Sequence, residues 1–230
     1  MAERTVAPRE SVPSAATPTG APMHVTKFPQ SCLVVETDGV RVAIDPGTFV
    51  TARHDLDELG ELDAVLYTHR HHDHLDVEVV DRLRERGTTL FGNADVVALL
   101  GEDRCTLVED GRPFTAAGLP VTPHDLPHVV MVDGSPGPPN TGFLLAGSLF
   151  HPGDGIELTG LSVSAAAIPI VGPSISFRDA YRFVQQLGAR HIIPIHYDAF
   201  VADPEQFARV CDLAQVHVLR DAEGVELPVS

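Results

Sequence analysis

The sequence has little positive charge, and this scarcity limits the partners that it could bind. Its 230 residues include 16 Lys and Arg against 32 Asp and Glu, so the formal net charge is −16 with the histidines neutral. General nucleic-acid binding relies on clustered Lys and Arg, and attachment to anionic membranes relies on polybasic segments. We therefore expect no nucleic-acid partner and no membrane partner for this chain.

Cysteines are few and long apolar segments are missing. Cys32, Cys105 and Cys211 are far apart, odd in number and outside any CxxC motif. This pattern argues against a disulfide framework and fits a reducing compartment, so we expect a cytoplasmic protein. No apolar run reaches the length of a transmembrane helix, yet the hydrophobic fraction of 43% is enough for a packed core.

The first 22 residues lack the apolar stretch of a secretory signal peptide. They are rich in Ala, Pro, Ser and Thr, a composition typical of disordered segments. We therefore predict a disordered tail over residues 1–22 and one folded domain over residues 23–230.

After this tail, strand-like runs alternate with segments of helical spacing. Three runs rich in β-branched residues lie within 23–45, and Asp38-Gly39 between the last two is a hairpin signal. Further strands are predicted over 63–69, 88–92, 191–198 and 217–221, with a hairpin turning at Gly147. Helices are predicted over 75–87, after the caps Asn93 and Ser176, and over 204–215. The mixture fits a layered α/β or α+β protein.

The segment THRHHDHLD, residues 68–76, concentrates histidines and acids at the end of a predicted strand. His69 and His71 are two residues apart on an extended segment, so their side chains point to the same side and could chelate one ion. Asp73 and His74 follow in the turn and could hold a second ion. Imidazole and carboxylate ligands suit Zn²⁺, Fe²⁺ or Mn²⁺. His72 should point away, toward supporting contacts or solvent.

The segment THRHHDH also resembles the THxHxDH signature of the metallo-β-lactamase superfamily. Three other segments in the expected order are similar to that family: HVTKFPQSCLVVETDGVRVAIDPG, NTGFLLAGSLFHPGD and IIPIHYD. The first of them looks like the start of the lactonase-like branch, which includes ascorbate-6-phosphate lactonase. The resemblance implies a four-layer αββα sandwich with two metal ions at one edge of its two sheets.

The resemblance also implies a ligand set for the two ions. It assigns His69 and His71 to the first ion, Asp73, His74 and His196 to the second, and Asp154 to both as a bridge. The remaining ligand of the first ion lies in mid-chain, where His124 and His128 both qualify. We favour His128, because it lies 12 residues before Asn140 of the NTGF segment, a spacing similar to that of related proteins. Zinc is the expected metal, with manganese and iron as alternatives.

Three further residues are candidates for supporting or substrate-contacting roles. By resemblance, Asp45 of the IDPG segment accepts a hydrogen bond from a metal-bound histidine. His151, three residues before Asp154, would orient a ligand or touch the substrate. Gln30 stands where related proteins usually have a histidine, and it can donate a hydrogen bond but cannot act as an acid or base. The remaining histidines match no motif and are interpreted as structural or exposed: His24, His54, His191 and His217.

The ligand set predicts a hydrolase that uses a hydroxide held by two metal ions to attack a small ester, lactone or phosphoester. Asp73 is the expected catalytic residue, because a carboxylate beside the ions could orient the hydroxide and return a proton to the leaving group. The bound ions would make the site locally positive, which suits an anionic small molecule. The alternatives are a metal-binding sensor or scaffold without turnover and an iron redox enzyme. A homo-oligomer is compatible with the sequence.

Overall fold

The computed structural model describes residues 22–200 and 202–228, so the tail predicted over residues 1–22 lies outside the described residues except for Pro22. Two seven-stranded sheets dominate the molecule. The first sheet contains β1 Met23–Lys27, β2 Leu33–Thr37, β3 Val40–Ile44, β4 Ala64–Tyr67, β5 Thr89–Gly92, β6 Thr106–Leu107 and β14 Glu223–Leu227. The second contains β7 Phe114–Ala116, β8 Leu119–Asp125, β9 Thr141–Leu145, β10 Leu149–His151, β11 Ala165–Pro169, β12 His191–Ile195 and β13 Gln215–Val216.

Each sheet combines an antiparallel half with a parallel half. The first has the order β14-β1-β2-β3-β4-β5-β6, antiparallel up to β3 and parallel from β3 onward. The second has the order β13-β12-β11-β10-β9-β8-β7, parallel from β13 to β10 and antiparallel beyond. The parallel strands of each sheet therefore end at a common edge, where ligand sites of open α/β sheets usually lie.

Helices cover the outer faces of the two sheets. They are α1 Thr48–Thr51, α2 Val80–Glu85, α3 Ala94–Leu100, α4 Phe177–Leu187 and α5 Pro204–Val210, with 3₁₀ turns at Leu56–Leu59 and Val77–Val79. None of the helices in the described ranges is long and apolar enough to cross a bilayer.

The alternation of side chains along the strands produces the layers. In β4, Ala64 and Leu66 belong to the core between the two sheets, whereas Val65 and Tyr67 pack in the outer core with α2 and α3. In β12, Ile193 faces the central core, and its neighbour on the opposite face belongs to the outer core with α4 and α5. These three cores confirm the predicted four-layer αββα sandwich.

Two predicted helix starts are confirmed. The side chain of Asn93 accepts hydrogen bonds from the N–H groups of Asp95 and Val96, both at 3.1 Å, and begins α3. Ser176 and Asp179 form a reciprocal capping box at the start of α4. Both caps satisfy N–H groups that have no partner inside the helix.

The carboxy-terminal prediction is wrong in its details. Helix α5 ends at Val210 rather than 215, because Cys211 adopts an extended backbone conformation. The strand predicted over 217–221 is replaced by β13 before it and β14 after it. Strand β14 is mostly exposed and exists because it pairs with β1 at the edge of the first sheet. Such a strand carries little hydrophobic signal of its own, and its partner is about 200 residues away along the chain.

Candidate metal centre

Loops at one edge of the two sheets bring the predicted ligands together. The residues that follow β4 supply His69, His71, Asp73 and His74. The second sheet supplies the others from the ends of three strands: His128 after β8, Asp154 after β10 and His196 after β12. The carboxyl ends of strands from both sheets therefore converge on one space.

The seven side chains form two adjacent groups. The first group is His69, His71, His128 and Asp154, and the second group is Asp73, His74 and His196; within each, the potential ligand atoms lie within 4.8 Å of one another. The carboxylate of Asp154 lies between the groups. Its Oδ2 is 3.4 Å from Nε2 of His128 and 3.1 Å from Nε2 of His196, and its Oδ1 is 3.2 Å from Nε2 of His74.

His128, rather than His124, joins the first group. His128 lies beyond the end of β8, where it forms an isolated bridge to Gly155, next to Asp154. His124 is still within β8, and its ring faces Phe150 at a centroid distance of 6.0 Å. The structure thus places His128, and not His124, beside Asp154, and the assignment of His128 as a metal ligand stays a prediction.

Hydrogen bonds at Nδ1 set the orientation of three histidine rings. Nδ1 of His128 donates to the carbonyl of Val129 at 2.6 Å, and Nδ1 of His196 donates to the carbonyl of Val171 at 2.7 Å. Nδ1 of His74 is 2.7 Å from Oδ2 of the buried Asp45. Since a carbonyl or carboxylate oxygen can only accept, each Nδ1 carries a proton, and Nε2 of each ring faces the shared space.

Asp45 also orients His69 through Thr68. The hydroxyl of Thr68 donates to Oδ2 of Asp45 at 2.7 Å, and its oxygen is 3.0 Å from Nδ1 of His69. Because that hydroxyl proton is committed to Asp45, the oxygen accepts from His69. Asp45 accepts a further bond from the N–H of Thr68 at 2.8 Å. One buried carboxylate therefore organises two of the predicted ligands, and the sequence had not singled out Thr68 as its intermediary.

Several buried atoms facing the shared space make no hydrogen bond within the described residues. They are Nε2 of His69, His74 and His128 and Oδ1 of Asp154. An unsatisfied buried polar atom costs about 1–3 kcal/mol, so a cluster of four is unusual in a folded protein. Imidazole nitrogen and carboxylate oxygen are ligands for Zn²⁺, Mn²⁺ and Fe²⁺. The donor set therefore fits divalent cations.

The charges of the site couple the acids to the histidines. Burial by itself lowers the pKa of His196, but the Asp154 carboxylate and hydrogen bonds to Asp154 and Asp73 outweigh it and raise that pKa to about 10. Burial also opposes ionisation of Asp154, and the neighbouring His196 and His74 nonetheless hold its pKa well below the usual range. In the metal-free protein, protons thus occupy the positions that cations would take, so protons and cations compete here.

Gln30 lies behind the second group and is fully buried. Its side-chain Nε2 donates to Oδ2 of Asp73 at 2.9 Å, and its Oε1 accepts from the N–H of Ala199 at 3.2 Å. Its backbone carbonyl accepts from the N–H of His196 at 3.0 Å. The structure therefore places Gln30 as a support of Asp73 and His196. Its side chain does not line the cavity that opens beside the two groups.

A partly buried ion pair between Lys27 and Asp198 holds Gln30 in turn. Oδ2 of Asp198 accepts from the backbone N–H of Gln30 at 2.7 Å and from Nζ of Lys27 at 3.2 Å. Lys27 is 1% exposed, and its ammonium lies 4.5 Å from the centroid of the Tyr197 ring. Burial lowers the pKa of Lys27, and the carboxylate of Asp198 opposes that change. Sequence reasoning missed this pair, because the two residues lie far apart along the chain.

His151 belongs to neither of the two groups. Its Nε2 donates to the carbonyl of Ser31 at 2.8 Å, and its Nδ1 accepts from the N–H of Gly153 at 3.2 Å. The loop that carries Asp154 is further held by Asn140, whose Oδ1 accepts from the N–H of Asp154 at 3.2 Å. His151 and Asn140 therefore position Asp154 from two sides. The sequence motif NTGF contains Asn140, but its spacing alone had suggested no role for it.

The other histidines lie outside the two groups. His72 is exposed, as expected from its direction on the strand end. His24 is 2.9 Å from Glu226, His54 contacts Glu58 and Asp221, and His191 is 3.1 Å from His217. These contacts agree with their interpretation as structural or exposed residues.

A cavity of about 280 Å³ opens beside the two groups and is called the site cavity here. Its polar lining residues are His71, His72, Asp73, His128, Asp154 and His196. Its apolar lining includes Phe49, Val130, Met131, Pro173 and Phe200, which together are called the apolar wall. No local sequence pattern marked the residues of the apolar wall.

Comparisons with known proteins agree with this geometry. A family model described as "Beta-lactamase superfamily domain" matches residues 24–196. Protein Rv0786c of Mycobacterium tuberculosis is 32% identical over 182 residues, which cover 76% of this chain and 84% of that protein. The UPF0173 metal-dependent hydrolase MK1542 of Methanopyrus kandleri is 30% identical over 220 residues, which cover 81% of this chain and 90% of that protein.

A solved structure shares the fold. Igni18, a metallo hydrolase from Ignicoccus hospitalis, is similar with a TM-score of 0.75 and 24% identity, over 91% of this chain and 100% of that chain. At this identity the likeness concerns the fold alone. Together with the family model and the sequence relatives, it agrees with the superfamily resemblance of the sequence. The chain belongs to the β-lactamase superfamily and, within it, to the UPF0173 metal-dependent hydrolase family.

Proposed function

We propose that this protein is a metal-dependent hydrolase that works with two divalent ions. The observation that carries the proposal is the position of Asp154, whose carboxylate approaches His128 of the first group at 3.4 Å and His196 of the second at 3.1 Å. A carboxylate between two sets of imidazole nitrogens suits a bridging ligand. Relatives named metal-dependent hydrolases support the same reaction class.

Each group would hold one ion. His69, His71 and His128 would bind the first, Asp73, His74 and His196 the second, and Asp154 both. When bound, two such ions would lower the pKa of a water molecule, supply a hydroxide nucleophile at neutral pH and stabilise negative charge that develops on the substrate oxygen. Zinc is the first choice for this donor set, with manganese and iron as alternatives.

Asp73 is the residue that we assign to proton transfer. It belongs to the second group, lines the site cavity and is held at Oδ2 by the amide of Gln30. Hydrogen bonding and charge from His196 and His74 overcome the effect of burial and keep the pKa of Asp73 below its usual range, so the carboxylate is ionised at neutral pH. An ionised carboxylate in this position can accept a proton from a nucleophile and return it to a leaving group.

The substrate would be a small ester, lactone or phosphoester, as in a lactonase-like branch of the superfamily. The site cavity of about 280 Å³ supports a small molecule rather than a polymer. The three cysteines are free and buried, which supports a reducing compartment such as the cytoplasm.

Metal analysis combined with a substrate panel tests the proposal. The metal-loaded protein is expected to hold two ions per chain and to cleave at least one of a set of lactones, esters, thioesters and bis-p-nitrophenyl phosphate. The Asp73→Ala variant should lose most of this turnover, whereas the His72→Ala variant should retain its metal content, because His72 is exposed and outside both groups.

Three outcomes would contradict the proposal. Fewer than one tightly bound ion per chain would contradict the two-ion site. Unchanged turnover in Asp73→Ala would contradict the role in proton transfer given to that carboxylate. Full metal loading without turnover of any compound would favour a sensor or scaffold. Iron content together with oxygen consumption would favour a redox enzyme.

A further inference from the structure

We propose that the substrate is an uncharged ester or lactone that carries a small apolar acyl or aryl group, and that this group packs on the apolar wall. The proposal rests on the proposed hydrolytic function and narrows its substrate class. It favours neutral carbonyl compounds over phosphoesters and over substrates with a second negative charge.

The polar and the apolar lining residues of the site cavity would bind different parts of a substrate. The polar lining includes members of both groups, so the reacting carbonyl would lie there. The apolar wall offers two phenyl rings, from Phe49 and Phe200, and the flexible side chain of Met131. Burial of an apolar group against such a wall is favourable because it removes apolar surface from water. A substrate with an apolar substituent would therefore contact both the polar lining and the apolar wall.

No lysine or arginine is found among the described residues that line the site cavity. Arg53, which follows shortly after Phe49 in the chain, pairs with Asp198 at 3.4 Å. The acids in the lining are Asp73 and Asp154, which would repel a second negative charge that lies away from the ions. An anionic substituent on the apolar wall would lose its hydration without gaining a counter-charge.

Three backbone N–H groups of residues that line the cavity are committed to other partners. The N–H of Val129 donates to the carbonyl of Asp154 at 3.0 Å, and that of Met131 donates to the carbonyl of Ser135 at 2.9 Å. The N–H of Ala199 donates to Oε1 of Gln30. Phosphate sites usually combine free backbone N–H groups with a basic side chain. These three N–H groups are therefore not free to bind a phosphate, and the described lining supplies no basic Lys or Arg beside them, which weighs against a phosphoester.

The apolar wall is held in place by its own contacts. The ring of Phe200 stacks on His196 at a centroid distance of 5.8 Å and an interplanar angle of 29°. The hydroxyl of Ser174 donates to the carbonyl of Val130, which ties the two loops of the wall together. Phe200 and the loop at Val130 are thus held before an apolar group binds, which lowers the cost of ordering this part of the wall. A volume of about 280 Å³ suits one small ring or a short acyl chain.

A matched pair of esters provides the kinetic test. p-Nitrophenyl butyrate and p-nitrophenyl hemisuccinate have the same leaving group and similar acyl length, but only the second carries a terminal carboxylate. With the zinc-loaded protein we expect kcat/KM to be at least about tenfold higher for the butyrate, as for one well-packed substituent in a pocket. An equal or higher value for the hemisuccinate, or faster cleavage of bis-p-nitrophenyl phosphate, would overturn the proposal.

Variants of the apolar wall connect this preference to the structure. Phe200→Ala should reduce the preference for the butyrate about fivefold or more, mainly through KM, and Met131→Lys should shift it toward the hemisuccinate. Val132→Ala is the matched control, because Val132 is 83% exposed and outside the cavity lining. A preference that Phe200→Ala and Met131→Lys leave unchanged would overturn the role of the wall.

A binding experiment separates this proposal from the proposed function. N-phenylbutanamide and its carboxylate analogue, succinanilic acid, are amides that the zinc-loaded protein can bind without ester cleavage, and ligand-observed NMR measures both. We expect the neutral amide to bind at least about tenfold more tightly and Phe200→Ala to weaken it. Failure of every ester and phosphoester to react would contradict the hydrolase alone. Tighter binding of succinanilic acid would contradict the substrate class alone.

Discussion

Gln30 and Asp73 form a partly buried hydrogen bond in which Nε2 of the amide donates to Oδ2 of the carboxylate at 2.9 Å. Since Oε1 of the same amide accepts from the N–H of Ala199, both ends of the amide are committed and its orientation is set. Gln30 thus supports the second group. It supplies a neutral donor that holds Asp73 beside His196.

Removing that donor should selectively weaken the binding of the ion held by the second group. In Gln30→Met, Oδ2 of Asp73 loses its buried partner, and we expect the affinity of one of two ions to fall by about 10–100-fold. A zinc titration with a competing chelator should resolve two binding steps, one with reduced affinity and one with unchanged affinity. Gln186→Met on the exposed face of α4 is the matched control. Two unchanged steps in Gln30→Met would show that the amide does not support the site.

Two histidines four residues apart offer a direct test of the first group. His128→Ala removes a member of that group, so we expect metal affinity to fall by roughly tenfold or more, at least as much as for a supporting residue. His124→Ala should retain the wild-type metal content, because its ring faces Phe150. Elemental analysis after dialysis against dilute chelator measures both. The reverse pattern would assign the ligand to His124 instead.

Asp45 should contribute more to stability than an exposed acid. It is fully buried and accepts hydrogen bonds from Thr68 and His74, so Asp45→Ala should lower the free energy of unfolding by about 3–5 kcal/mol. Asp57→Ala removes an exposed ion pair with Arg86 and should cost at most about 1 kcal/mol. Urea denaturation of the metal-loaded proteins measures the difference. Similar losses in the two variants would contradict the organising role of Asp45.

The metal-free protein should lose stability as the solution becomes alkaline. The pKa of His196 is raised from 6.5 to about 10 in the folded protein, so its contribution is fully present below pH 6.5 and is lost as pH rises through 10. Chelator-treated protein should therefore show a falling melting temperature between these values, by on the order of 5 °C or more. His196→Gln should flatten this dependence, and an unchanged slope in that variant would refute the assignment.

Local sequence patterns predicted the elements that depend on neighbouring residues. Asn93 and Ser176 cap α3 and α4 through side-chain contacts two or three residues away, so the cap residue itself carries the signal. The run from His69 to His74 was also predictable from neighbouring residues, because a strand end followed by a turn brings consecutive side chains into one space. By contrast, β14 depends on pairing with β1, which lies at the other end of the chain. Its mostly exposed residues carry no hydrophobic alternation that would predict a strand.

The sequence by itself determined the donor types, the order of the motifs and the layered fold, since these follow from composition, periodicity and resemblance. Only the tertiary structure decided that His128 rather than His124 joins Asp154, that Gln30 holds Asp73, and which residues form the apolar wall. Each of these depends on which loops meet at the edge of two packed sheets. That meeting is set by burial of the central core between the sheets, a non-local effect that no short segment encodes.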